Sequence, residues 1–274
     1  MTTVKVTGIS FSPTGNTEKV TEAICAEVAE DLKIPAEHLD LTLPAAREKM
    51  YAFGTADLVI AGMPVYAGRV PNKILPFLQQ NLSGNGALVI PVVTFGNRSY
   101  DNALRELQYE LEAHGFHTVA AAAVPAEHAF TAKLAPGRPD AADLLSVRNF
   151  AAAAADKIQK MKQSKAQPVT VRGEYPAPYY TPLGTDGQPA VFLKAKPVTD
   201  PEKCDGCGIC AKVCPMGSVS AENPAEINGI CIKCQACIRK CPKNAKYFDD
   251  PAFLSHVAML EQNYRRRAEA EFFV

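Results

Sequence analysis

The sequence carries no net charge, since 29 Lys and Arg balance 29 Asp and Glu. That balance gives no support to binding of nucleic acid or of an anionic membrane surface. No run approaches the roughly 20 apolar residues that a membrane span requires. The opening Met-Thr-Thr-Val-Lys-Val lacks the charged-then-apolar layout of a signal peptide and enters a strand pattern at once, which predicts a cytoplasmic protein. Cysteine is almost missing from the first 200 residues, where Cys25 stands alone, while the other eight lie between Cys204 and Cys241. Such clustering in a chain without a secretory leader points to metal ligation more than to disulfides.

Two nucleotide fingerprints are missing as well. The segment SPTGNT, Ser12 to Thr17, follows an apolar run and precedes a helical pattern. No Lys follows Gly15, so the loop is not the G-x4-G-K-S/T of nucleotide hydrolases, and the G-x-G-x-x-G of dinucleotide folds is absent. What remains is a strand, a hydroxyl-rich turn and a helix N-terminus. Its free N–H groups and positive dipole end can hold a phosphate with neutral donors. Ser12, Thr14 and Thr17 add hydroxyls and Asn16 an amide, in a loop completed by Pro13 and Gly15. A capped helix start is the plain alternative.

Periodicity divides the chain. Over residues 1–165, strand candidates at Val4–Phe11, His38–Leu41, Ala56–Gly62, Ala87–Phe95 and Thr118–Pro125 alternate with helix candidates at 15–33, 71–81, 99–115 and 139–164. Runs such as LVIAG and ALVIPVVTF suit parallel strands covered on both faces. Val20, Ile24, Val28 and Leu32 recur every four residues as one core-facing stripe. The alternation predicts a doubly wound α/β domain with a five-stranded parallel sheet. Residues 166–198 are rich in Pro and Gly and read as a linker or as a strap packed across one domain. Residues 199–248 hold the cysteines. Residues 249–274 read as a closing helix with Phe253, Val257, Leu260 and Tyr264 on one face.

The runs CDGCGICAKVCP (204–215) and CIKCQACIRKCP (231–242) both follow C-x2-C-x2-C-x3-C-P, offset by 27 residues, a short internal duplication. Two-residue gaps let the backbone curl so that three sulfurs converge on one face of a cubane. In the two-cluster pattern the last cysteine of each run serves the other cluster. That assigns Cys204, Cys207, Cys210 and Cys241 to one 4Fe-4S cluster and Cys231, Cys234, Cys237 and Cys214 to a second. Paired C-x2-C motifs also suit zinc, but zinc calls for neither the third two-residue step nor the following proline. The two runs resemble bacterial two-cluster ferredoxins, with all eight ligands matched. The resemblance implies a small α+β ferredoxin domain.

SPTGNT in turn resembles the flavodoxin FMN-phosphate loop, T/S-x-T-G-x-T, where phosphate is bound without Lys or Arg. Two further loops at strand ends extend the match. GMPVYAGRVP (62–71) contains Pro64, Val65, Tyr66, Ala67, Gly68 and Arg69, and TFGNRSYDN (94–102) contains Thr94, Phe95, Gly96, Asn97, Arg98, Tyr100 and Asp101. Tyr66 and Tyr100 stand where flavodoxins place the two aromatics that sandwich the isoalloxazine. Ala67-Gly68 would permit a peptide flip near flavin N5. Arg69 and Arg98 depart from the family pattern; beside the flavin they would favour the anionic hydroquinone, and two solvated arginines are the alternative.

The whole chain resembles the flavodoxin–ferredoxin fusion proteins of anaerobic bacteria and archaea. That resemblance implies FMN and two 4Fe-4S clusters, and an electron carrier that converts between two-electron and one-electron partners. The alternatives are an FMN-dependent oxidoreductase acting on a small substrate or nicotinamide, and a redox sensor. Donor and acceptor are expected to be redox proteins, and the linker allows flavin-to-cluster docking within one chain or across a homodimer. Of the remaining features, Cys25 reads as a core thiol and His128 as a capping or packing histidine. Arg265 to Arg267 read as a solvated patch on the last helix that could meet an acidic partner.

Overall fold

The computed structural model describes residues 3–161 and 169–274. The predicted domain boundary at 165/166 and the last turn of the helix expected to 164 lie outside the described residues. Strands β1 (Lys5–Ser10), β2 (Ala36–Asp40), β3 (Asp57–Pro64), β4 (Leu88–Phe95) and β5 (Ala121–Pro125) form one parallel sheet in the order 2-1-3-4-5. Helices α1 (Asn16–Leu32), α2 (Leu75–Gln80), α3 (Ala103–Ala113) and α4 (Ala141–Met161) cover its two faces.

Alternation along the strands explains the apolar runs. Leu58 and Ile60 of β3 pack with Val20, Ile24 and Val28 of α1 and Phe150 of α4. Val59, Ala61 and Met63 pack on the opposite face with Leu78 of α2 and Leu104 and Leu107 of α3. Successive side chains point to opposite faces, and here both faces are buried. The predicted α1 stripe is this contact, with Leu32 half-buried at its end. Helix α1 approaches β3 closely because residue 62 is glycine: a Cβ there would stand 2.0 Å from Thr21 Oγ1.

Three expectations are corrected. Helices α2 and α3 begin at Leu75 and Ala103 rather than near 71 and 99, because the residues before them are held in turns. His117–Thr118 pairs with β4 as a separate piece instead of opening β5. The chain after 249 is not one helix. The helix that starts at Pro251 ends at Asn263, and Glu271–Phe273 returns as a strand antiparallel to β5. That strand has period two: Phe272 lies on the α1/α4 face, stacked on Phe150 at 5.0 Å, and Phe273 on the other.

The cysteine region is a small α+β unit. A two-stranded ladder joins β6 (Val198–Thr199) to β7 (Lys246–Tyr247), around short helices α5 (Ile209–Lys212) and α6 (Ala236–Arg239), followed by α7 (Pro251–Asn263). The returning strand Glu271–Phe273 is β8. The duplication extends to the backbone, since Gly206 and Gly208 have left-handed conformations and so do their counterparts Lys233 and Gln235.

Between the two units the described part of 166–198 is a docked strap. Val169 and Val171 are buried, Tyr175 stacks on Tyr109 at 4.3 Å, and Tyr180 N donates to Ala67 O at 2.8 Å. The cysteine unit sits on the carboxyl ends of the strands, where Ile232 packs into the core beside Val65. Arg47 donates to Pro215 O, and Arg239 of α6 reaches Glu127 at 2.6 Å and His128 O at 2.8 Å. Among the described residues no helix is long and apolar enough to cross a membrane.

Candidate metal centres and phosphate loop

The eight clustered cysteines divide between two cavities. One is lined by Cys204, Cys207, Cys210 and Cys241. The other is lined by Cys214, Cys231, Cys234 and Cys237. In each, three sulfurs come from one run and the fourth from the other. The crossing cysteines are matched as well: Ser218 N donates to Cys214 Sγ and Ala245 N to Cys241 Sγ, both at 3.3 Å. Burial pushes the thiols of Cys234 and Cys237 up to about 12, so thiolates form there only when a metal displaces the protons. Four converging sulfurs in a pocket with N–H donors to sulfur fit a 4Fe-4S cluster. Lys246 is buried against the first cavity, a fixed cation beside a group that gains an electron.

The loop after β1 has the conformation of an anion site. Gly15 is left-handed and a Cβ there would meet nothing within 4 Å. Ser12 Oγ accepts from Glu18 N at 2.9 Å, and Thr17 Oγ1 bonds to Thr94 Oγ1 at 2.6 Å. Thr14 and Asn16 line a cavity of about 490 Å³ whose other walls include Lys19, Glu127, Arg138 and Arg239. Lys19 comes from the next helical turn, and Arg239 comes from the second cysteine run with no local signal to announce it. Both are engaged, Lys19 with Pro139 O at 2.8 Å and Arg239 with Glu127 at 2.6 Å, so it is the glycine, hydroxyls and free N–H groups that fit a phosphate.

The flanking loops depart from expectation. Tyr66 and Arg69 close a tight turn through Tyr66 N to Arg69 O at 2.9 Å, and both central residues, Ala67 and Gly68, have positive φ. The peptide flip expected here is opposed on both carbonyls: Ala67 O accepts from Tyr180 N at 2.8 Å and Gly68 O from Asn102 N at 3.0 Å. Burial, then Cys234 and Cys231, hold the Tyr66 phenol well above the usual range.

Tyr100 is not available for stacking. It is 1% exposed, its hydroxyl donates to Glu271 Oε2 at 2.6 Å, and Arg172 covers its ring at 4.6 Å. The returning strand β8 took it into the core. Asn97 is equally occupied, since Nδ2 donates to Tyr264 O and Arg266 O at 2.6 Å and Oδ1 accepts from Ala268 N at 3.2 Å.

The two arginines are neither free cations nor solvated. Arg69 Nε donates to Glu106 Oε2 at 2.8 Å, with further bonds to Glu106 Oε1 and Ala177 O. Arg98 is paired with Asp101 and stacks on Tyr180 at 3.8 Å. Each charge is matched by a carboxylate, which removes the reason to expect an anionic hydroquinone. Glu106 is fully buried and also accepts from Val70 N at 2.8 Å; nothing in its helix pattern distinguished it. Pro64, Val65, Thr94, Phe95 and Gly96 line the strand ends as backbone and core. Gly96 is pressed by His128, whose Cδ2 would stand 2.4 Å from a Cβ at that position.

His128 is a packing histidine. Its Nδ1 accepts from Phe130 N at 3.1 Å. Burial first, then His256, Arg239 and Arg98, push it down to about 4. Cys25 is buried under α1. Arg265 to Arg267 lie beyond helix α7, and Arg267 bonds Asp140 at 2.9 Å and Asp143 at 3.0 Å rather than facing solvent alone.

Solved structures similar to the α/β part include a flavodoxin from the domain Archaea, 13% identical over 57% of this chain and 99% of that one, with a TM-score of 0.42. A flavodoxin of Streptococcus pneumonia TIGR4 is 17% identical over 56% of this chain and 99% of that one, with a TM-score of 0.40. The rubredoxin oxygen:oxidoreductase of the anaerobe Desulfovibrio gigas is 16% identical over 60% of this chain but only 38% of that one, with a TM-score of 0.41. A search of curated proteins finds no match. The model of a 4Fe-4S binding domain matches residues 197–220, and a second such model matches residues 228–247. The chain joins a flavodoxin-like fold to a ferredoxin-type 4Fe-4S module. The first half of that statement rests on the 2-1-3-4-5 strand order. The second rests on the matched segments and the sulfurs they bring together. The fusion is an electron-transfer redox protein.

Proposed function

We propose that the fusion exchanges electrons between an FMN, its phosphate seated at Ser12–Thr17, and two 4Fe-4S clusters. The ligand sets are Cys204, Cys207, Cys210 and Cys241, and Cys214, Cys231, Cys234 and Cys237. One observation carries this reading: the module is docked on the carboxyl ends of the sheet, where Arg239 of the second cysteine run bonds Glu127 and lines the same cavity as Thr14 and Asn16. FMN supplies one- and two-electron chemistry and each cluster one-electron chemistry, so a chain that holds both interconverts the two currencies.

The residues of this chain do the positioning. Ser12 Oγ holds the first turn of α1 so that its N–H groups face the loop. Thr14 and Asn16 would hold the phosphate, in a cavity whose far wall is the Arg239–Glu127 pair. Arg239 also ties the module to Glu127, so the same guanidinium that walls the phosphate cavity fixes the distance between the halves. Tyr66 offers one aromatic face, and Tyr100 supports the sheet instead of the ring. Arg69 and Arg98 brace the two loops through their carboxylate partners.

The test is stepwise photoreduction of anaerobically purified protein, read by absorbance and EPR, with FMN and iron counted on the same sample. One FMN, about eight irons from two four-iron clusters and electrons that equilibrate between flavin and clusters are expected. Clusters without flavin would return Ser12–Thr17 to a capped helix start and withdraw the flavin half of the reading.

A further inference from the structure

Ile230 lines the cavity shared by Cys214, Cys231, Cys234 and Cys237, and two further exposed apolar residues, Val191 and Leu193, lie on the strap segment whose Leu193 carbonyl is held by Lys233 of the same cavity wall. Val191 is 75% exposed, Leu193 84% and Ile230 53%. Leu193 sits in a turn closed by Ala195 N donating to Phe192 O at 3.0 Å. The turn is anchored from below, where Ala195 is buried and Phe192 packs on Phe253 at 5.4 Å. It is anchored from the side by Lys233 Nζ, which donates to Leu193 O at 2.5 Å. Holding a leucine outward on a braced turn sacrifices burial in the free chain, and contiguous exposed apolar groups of this kind mark interaction sites.

The rim of this patch is positive. Lys194 and Lys196 are exposed and Lys233 is half-buried. Lys196 Nζ and Lys233 Nζ are held by the carbonyls of Ile227 at 2.8 Å and Cys231 at 3.2 Å. Among the described residues no carboxylate pairs with any of the three. The nearest one acting on Lys233, Asp250, is occupied in capping α7 through Phe253 N at 2.8 Å. The face over the other cavity is built differently. Lys203 pairs there with Asp200 at 2.8 Å and Lys243 with Asp205 at 3.7 Å, so much of its charge is cancelled. An apolar centre ringed by unmatched ammonium groups complements an acidic surface with an apolar centre.

We propose that Val191, Leu193 and Ile230, with Lys194, Lys196 and Lys233, form the docking surface for a small acidic protein that carries one electron. The proposal rests on the electron-transfer reading above and adds where the partner sits and what its surface is. In that complex one electron passes between the iron–sulfur centre of the carrier and the module at its Cys231 side; no bond is made and no proton moves.

The experiment uses anaerobic, iron-loaded full-length protein and a small acidic single-cluster ferredoxin as the probe. Association is measured by calorimetry at low and high ionic strength. Wild type binds, more weakly as salt rises. K194E loses about tenfold in affinity at low salt, and V191S/L193S loses about fivefold at both ionic strengths, with cluster absorbance and thermal unfolding unchanged in each. Absence of wild-type binding overturns the proposal, as does wild-type affinity in both variants. So does a loss produced instead by K203E/K243E on the other face. Photoreduction of the chain alone separates the two levels. Internal equilibration without carrier binding removes only the docking surface, whereas no internal equilibration removes the electron-transfer reading itself.

Discussion

Glu106 accepts from the Arg69 guanidinium and from Val70 N inside the protein, so one carboxylate holds the Tyr66 loop to helix α3. Removing the charge from a buried pair leaves the partner uncompensated, at a cost of about 3–5 kcal/mol. E106Q is expected to lower the unfolding free energy by that amount in a denaturant titration. Tyr100 makes the opposite point. Y100F removes a hydroxyl bonded to a carboxylate and should cost about 1.5–3 kcal/mol in a denaturant titration. Y100L, which removes the ring as well, should leave the FMN content of the folded protein at the wild-type level. Loss of flavin from folded Y100L would restore the sandwich that the burial of this ring contradicts. G62A tests the helix–sheet approach: its methyl meets Thr21 Oγ1, and overpacking of this kind costs about 1–3 kcal/mol.

His128 gives the residue-scale pH dependence. Its folded value of about 4 lies below the ordinary 6.5, so as pH falls the unfolded chain takes up the proton first. The stability contributed by the neutral ring is complete above pH 6.5 and is lost as pH falls through the window down to about 4. His256 is shifted in the same direction, chiefly by burial. The urea midpoint of the wild type should therefore decline more steeply across this window than that of H128N. Parallel profiles would show that His128 does not carry the effect.

At the scale of elements, the parallel strands and their helices were legible because each buries a periodic apolar set over many residues. Their ends were not. The segments before α2 and α3 stop short of a helix because each is closed as a turn, by Ile74 N donating to Pro71 O at 2.8 Å and by Ala103 N donating to Tyr100 O at 2.9 Å. The tail was misread for a related reason. Three residues of a strand cannot be told from the continuation of a helix by periodicity, and only the unpaired edge of β5 makes Glu271–Phe273 a strand. F272A removes the stacking partner of Phe150. Since Phe272 is half-buried, the loss should fall near 2 kcal/mol, below the 3–5 of a fully buried phenylalanine.

At the scale of the molecule, the halves are joined by the strap, by the Ile232 contact and by Arg239. R239A removes bonds to Glu127, His128 O and Ala129 O together. It should leave iron content unchanged, slow equilibration between flavin and clusters, and speed proteolytic cleavage within the strap. Unchanged equilibration would mean that this contact does not set the separation of the two centres.

What the sequence by itself determined is whatever depends on local chemistry repeated at fixed spacing. This covers the thiolates in two runs, the crossing of their last members, the glycine and hydroxyls after β1, and the two-sided burial of the strands. What only the tertiary structure decided is how distant groups neutralise or cover one another. Arg69 and Arg98 become braces because carboxylates meet them. Tyr100 becomes a core residue because the last strand returns over it, and Arg239 arrives from the cysteine module to pair with Glu127 beside the loop after β1. A side chain's type and spacing are written locally, but its charge balance and exposure are set by neighbours far away in the chain.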